Sequence, residues 1–313
     1  MKDRTVLWIF LAFTLGFTLP VCSCVGTGLL TMTLMGRMAG PGERTAVTGD
    51  AVGIIRLDGV IHSAPEEYAF VWGITPEHTA RLLKQAAVNP NIKAVVVHIN
   101  SSGGSVVASD RIYRMLLDFE KPVVIWMDEM AASGGYYIAC GGDYIFAHPS
   151  TLTGSIGVIS RFLKVQELMD KVGVEAEVIA SGPSKDIGSP FREMTDEERA
   201  LWKGIINETY DGFVEVVAQA RHLPLEKVRE LADGRIYTGR QALEAGLVDA
   251  VGTLDDAIAK AAELGGITGK PEVIELKSEP GLLEMLYGFQ ARTPALEELL
   301  RLGEVPSLEF RVR

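Results

Sequence analysis

The chain has 313 residues, of which 47% are hydrophobic and 23% charged, with a formal net charge of −11 at neutral pH. An acidic balance without a basic block excludes a nucleic-acid partner, which would need clustered Lys and Arg to neutralise phosphates. Five histidines at 62, 78, 98, 148 and 222 have no ligand spacing, so neither a metal site nor a cofactor is expected.

Residues Thr5 to Gly36 carry no charge, a run longer than the about 20 residues that cross a bilayer. Lys2 and Arg4 precede it and favour a cytoplasmic N-terminus, a bias that Arg37 and Arg44 on the far side reduce. The pattern predicts a single-pass transmembrane anchor over 1–38 in the cell membrane, with the bilayer as a partner and the globular part outside the cytoplasm. Pro20 splits the run, and Val21-Cys22-Ser23-Cys24 leaves a second reading open, a lipoprotein-type signal with Cys24 lipidated. Both keep the protein at the membrane. A linker over 39–50 leads to a globular domain over 51–264, followed by an extension over 265–313.

Val52 to Leu57 reads as the first strand. Thr75-Pro76-Glu77 opens a helix with a capping residue, a proline at the first position and an acid in the first turn; Asn89-Pro90 ends it. Short β-branched runs then alternate with helical spacing. Strands are predicted over 94–99, 122–127, 144–147 and 175–180, and helices over 105–117, 133–140 and 162–171. A long helix over 196–220 starts at Thr195 with Glu198 three residues on, a capping box. Shorter helices follow over 225–232 and 239–245, and 281–313 is undecided. The alternation defines an α/β domain with a largely parallel sheet.

Two strand ends in this order carry glycine pairs. Asn100-Ser101-Ser102-Gly103-Gly104-Ser105 follows one, and Met130-Ala131-Ala132-Ser133-Gly134-Gly135-Tyr136-Tyr137 follows another. In a parallel sheet both turns fall at the same edge, where such folds bind ligands. A serine at a helix start is commonly an N-cap. The Gly-Gly after Ser133 opens a second reading, because it allows close backbone approach and leaves N–H groups free beside a nucleophile. Cys140, two helical turns on, is expected to be buried, with nothing near it to activate a thiolate.

Taken together, Asn100 to Gly104, Met130 to Tyr137, Thr153-Gly154-Ser155-Ile156-Gly157-Val158 and Ser181-Gly182-Pro183-Ser184-Lys185-Asp186 resemble the signal peptide peptidase A (SppA, protease IV) family, in order and at compatible intervals from about Val52 to Ala262. The family commonly has a proline where this chain has Ser102. The resemblance implies a ClpP/crotonase-like α/β fold and makes 51–264 the catalytic domain of a single-unit member. It implies Ser133 as nucleophile, Lys185 as general base and Ser155 as the residue that holds the lysine. The oxyanion donors would be the N–H groups of Gly104 and Gly134, with Gly103 shaping the turn. A lysine base near neutral pH must be desolvated until its pKa falls from about 10.4 to about 7–8. From composition alone, His98 and His148 at strand ends are the other candidate bases.

The expected activity is that of a membrane-anchored serine endopeptidase that degrades cleaved signal peptides and works as a homo-oligomeric ring. A crotonase-like acyl-CoA enzyme and a non-catalytic membrane scaffold are the alternatives.

Overall fold

The computed structural model describes residues 49–63 and 73–277, and the backbone of 309–311. The anchor expected over 1–38 and most of 281–313 lie outside the described residues; among those described, no helix is long and apolar enough to cross a membrane.

In chain order the elements are β1 (Ala51–Asp58), α1 (Pro76–Val88), β2 (Ile92–Ser101), β3 (Gly103–Ser105), α2 (Val106–Leu117), β4 (Val123–Ala132), α3 (Gly134–Ala139), β5 (Tyr144–Ala147) and β6 (Leu152–Gly154). They continue with α4 (Gln166–Val172), α5 (Asp196–Arg221), α6 (Leu225–Leu231), β7 (Ile236–Thr238), α7 (Gly239–Glu244), β8 (Ala250–Val251), α8 (Leu254–Leu264), β9 (Glu272–Leu276) and β10 (Glu309–Arg311). The main sheet runs β7-β6-β4-β2-β1-β9, with β5 on β4 and β8 on β5. Every pairing in it is parallel except β6 with β7.

The central strands are apolar along their length because both faces are covered. Ile55, Leu57, Val95, Val97, Ile125 and Met127 pack on one side in a core that includes Leu82, Ile112, Tyr136 and Phe213 of the surrounding helices. Val52, Ile54, Val96 and Val124 face the other side and pack on Ala257 and Ala261 of α8. The start of α1 is as expected: the Thr75 hydroxyl accepts the His78 N–H at 3.1 Å, with Pro76 in the first turn. α5 carries the Thr195/Glu198 capping box.

Three expectations are corrected. The strand predicted to end at Met127 runs on to Ala132, because Met130, Ala131 and Ala132 pair with Leu152, Thr153 and Gly154; no loop separates it from Ser133. Residues 175–180 are exposed and form no strand, since alternation supplies a face and not the ladder partner a strand needs. The helix expected over 162–171 begins only at Gln166. β9, within the span read as an extension, pairs with β1.

Tyr136 ties α3 to the segment before β8, its hydroxyl donating to the Leu247 carbonyl at 2.8 Å in a fully buried setting. Tyr136→Phe strands that carbonyl without a donor. It is expected to lower stability by about 1–3 kcal/mol in urea unfolding with no change in far-ultraviolet dichroism; a change within error would show that the bond contributes nothing.

Candidate active site

β4 delivers Ser133 to the first turn of α3. The residue has φ 55° and ψ −114°, a conformation that costs a non-glycine residue about 1–3 kcal/mol and persists only where surrounding structure imposes it. The imposing contacts are visible. The Ser133 N–H donates to the Gly154 carbonyl at 2.8 Å, and its own carbonyl accepts from the Tyr137 N–H at 2.9 Å. Ser133 is 1% exposed, and its side chain forms no capping hydrogen bond. The N-cap role left open by the sequence is therefore not taken.

The two Gly-Gly turns meet here. A Cβ on Gly134 would lie 3.2 Å from the Gly104 nitrogen and 2.6 Å from Ser109 Oγ, and one on Gly104 would lie 1.9 Å from the Ile61 carbonyl oxygen. Only glycine permits either approach. β3 is braced through Ile61, whose N–H donates to the Gly103 carbonyl at 2.9 Å and whose carbonyl accepts from the Ser105 N–H at 2.8 Å. Ser101 Oγ accepts the Gly103 N–H at 3.0 Å. That bond stiffens the turn across Ser102. The backbone of β10 runs antiparallel along β3, with Phe310 opposite Gly104, so this edge accepts an extended strand.

Ser155 stands beside Ser133. It follows Gly154, which is in register with Ala132, and has φ 50°, with its N–H donating to the Arg235 carbonyl at 2.8 Å. Ser133, Ser155 and His222 are the non-glycine residues with positive φ among the described ones. The structure thus brings Ser133, Ser155, Gly103, Gly104 and Gly134 to one sheet edge.

Lys185 is not part of that cluster. It sits in a turn closed by its N–H on the Gly182 carbonyl at 3.1 Å, and its side chain is exposed. Beside the turn is an open cavity of about 710 Å³ lined by Ser181, Gly182, Pro183, Asp186, Phe191 and Arg192. The surrounding segment shows apolar surface, with Leu163, Leu168, Val178 and Phe191 exposed and Ile179 92% exposed.

Neither histidine candidate bonds to Ser133. His98 is buried against Asp128, Nε2 to Oδ2 at 3.0 Å, and His148 Nδ1 accepts the Ser150 N–H at 3.2 Å. Cys140 is buried as expected, and burial pushes its thiol up to about 12, which keeps it protonated and unreactive. Sequence reasoning missed the braces of this site, Ile61 and Ser101. Nothing in the residue type of Ile61 signals them, since it acts through its backbone, whereas a serine two residues before a glycine is a recognisable turn signal.

Comparison with known proteins agrees with this architecture. The family model described as Peptidase family S49 matches residues 115–268, and one described as Clp protease matches residues 72–153. A protein of Synechocystis sp., provisionally named a protease, is 44% identical over 67% of this chain and 77% of its own. One of Enterococcus faecium, provisionally named signal peptide peptidase SppA, is 41% identical over 56% of this chain and 52% of its own. Protease 4 of Salmonella typhi is 37% identical over 77% of this chain and 39% of its own. The chain belongs to peptidase family S49, and it is a serine protease of the SppA type with a Clp-protease-like α/β core.

Gly104→Ala places a methyl group against the Ile61 carbonyl and must displace β3. It is expected to lower peptide hydrolysis by about 100-fold or more, the size of effect seen when one oxyanion donor is lost, while the folded baseline of the dichroism spectrum is kept. Activity within threefold of wild type would show that β3 takes no part.

Proposed function

We propose that the protein is a membrane-anchored serine endopeptidase that degrades remnant signal peptides after their release from preproteins, with Ser133 as nucleophile and Lys185 of a neighbouring copy as general base. The observation that carries this is the elbow at Ser133: a strained serine whose hydroxyl is not used in capping, flanked by two glycine turns whose backbones touch. Strain of this kind at a strand-to-helix turn is how hydrolases present a nucleophile. The anchor rests on the uncharged run from Thr5 to Gly36, and the signal-peptide substrate on family membership.

In the proposed reaction the neutral Lys185 amine takes the proton of Ser133 Oγ as the oxygen attacks the scissile carbonyl. The developing oxyanion is held by the N–H groups of Gly104 and Gly134. Collapse expels the amine of the leaving peptide, which receives the proton from Lys185, and leaves an ester on Ser133. A water deprotonated by Lys185 then hydrolyses the ester, and its proton returns to Ser133. Ser155, one strand over, orients the amine. The substrate would lie as an extended strand on the β3 edge in place of the β10 backbone that pairs there.

Two features support a shared dyad in a ring. Lys185 forms no side-chain hydrogen bond or ion pair among the described residues, and the segment around it exposes a group of large apolar side chains. A second copy of the chain would cover that surface and exclude water from the lysine.

Ser133→Ala and Lys185→Ala are each expected to retain less than about one hundredth of wild-type activity. Mixed under conditions of subunit exchange, the two dead variants are expected to regain part of it, because some contacts pair an intact serine with an intact lysine. Exchange verified by differently tagged subunits without recovery would place the dyad within one chain. An active Ser133→Ala would end the serine assignment.

Lys185→Arg tests the base separately. A guanidinium does not give up its proton, so this variant is expected to be inactive from pH 6 to 10, whereas wild-type activity rises with pH. An active Lys185→Arg enzyme would move the base elsewhere.

A further inference from the structure

The turn that carries Lys185 is gripped by one side chain that the reaction above does not use. Arg192 Nε and Nη2 donate to the two oxygens of Asp186 at 2.8 and 2.7 Å. Nη1 and Nη2 donate to the two oxygens of Glu198 at 2.8 and 2.5 Å. Nη1 also donates to the Glu193 carbonyl at 3.0 Å. Glu198 is buried and accepts the Thr195 N–H at 2.9 Å, which closes the α5 capping box. The residue next to Lys185 is thereby tied to the first turn of α5, a 26-residue helix whose distal half is anchored in the core by Phe213, Val214 and Val217. With five N–H donors a guanidinium can hold both oxygens of two carboxylates at once, which an ammonium with three donors cannot.

The clamp also sets local charge. Hydrogen bonds from Arg192 hold the Asp186 and Glu198 carboxyls below the usual carboxylate range, so both are anionic at neutral pH. An unpaired Asp186 carboxylate, adjacent in sequence to Lys185, would favour the ammonium form of that lysine. Arg192 pairs with it, sharing one positive charge between Asp186 and Glu198, and turns it toward α5. The other charged groups around the clamp are Glu193, which pairs with Lys164, and Asp196 and Glu197 in the first turn of α5.

We infer that Arg192 is a positioning residue for proteolysis: its double fork fixes the Lys185 turn on α5 and keeps the Asp186 carboxylate from pairing with the lysine amine. The inference rests on Lys185 being the base, and the test separates the two.

The experiment records kcat and KM against pH for full-length wild type, Arg192→Gln, Arg192→Lys, Arg192→Gln/Asp186→Asn and Lys185→Ala. Arg192→Gln is expected to lower kcat at pH 7 about tenfold or more through misplacement of the lysine, with KM within about threefold. Its acid limb should move up by about one pH unit, because the freed carboxylate stabilises the charged lysine. Arg192→Lys should fall in between, and Asp186→Asn in the Gln background should return the limb toward wild type. An unmoved limb in Arg192→Gln, or a limb that stays displaced in the double variant, overturns the inference. Should Arg192→Gln fail to fold, Arg192→Lys with and without Asp186→Asn makes the same comparison. An active Lys185→Ala overturns the base assignment and this inference with it; an inactive one with no limb movement in the Arg192 variants overturns this inference alone.

Discussion

The site depends on holding Ser133 at positive φ. Left to itself a serine would relax to an ordinary helix-capping conformation, because the observed one costs about 1–3 kcal/mol. The restraint comes from the parallel pairing of β4 with β6, which carries the Ser133 N–H to the Gly154 carbonyl. That pairing in turn depends on β4 lying buried between two cores, so that a slip of one residue would exchange Val123, Ile125 and Met127 with the side of Val124 and disrupt the packing of both. Close packing thus fixes the register, and the register fixes the strained serine. Glycines at 104 and 134 complete the arrangement, since a Cβ on Gly134 would press on β3 and one on Gly104 would press on the Ile61 backbone.

Much of this was legible in the sequence. The runs over 94–99 and 122–127 announce two-sided burial by their β-branched content, and Thr75-Pro76-Glu77 and Thr195 with Glu198 announce helix starts whose caps are present. Ser133, Ser155 and the glycine pairs were identified from motif order, and they do meet at one edge. What escaped were features made by long-range partners. β3 and β6 are three residues each, too short for any periodicity, and they exist because Ile61 and β4 offer them ladders. Residues 175–180 have the alternation of a strand and no edge to join. The Arg192 clamp joins Asp186 and Glu198 across intervals of six residues, a spacing that matches neither helix nor strand and so has no signature.

The structure separates what is rigid from what is presented. Ser133, Ser155 and Gly104 belong to strands and turns embedded in the sheet, whereas Lys185 lies on an exposed segment anchored by Arg192 to the start of α5. A lysine so exposed keeps its side chain in contact with water. Large side chains such as Ile179 and Leu168 stay in water around it, although burying each would contribute about 1.5–3 kcal/mol. On the proposed reading this is the surface that a second copy covers.

On the proposed reading, one contact between copies accomplishes three things at once. It buries the apolar segment, removes water from the lysine and brings the amine to a serine whose strained backbone is already in place. The energetics then divide cleanly. The fold supplies the cost of straining Ser133, and association, by covering the exposed apolar segment, offsets the cost of desolvating Lys185. A membrane-bound protease with this division would hydrolyse peptides only where copies meet. The Arg192 clamp fits the same logic, because the segment must present its lysine in one geometry before any neighbour arrives, and pre-ordering the turn on α5 removes that entropy from the association step.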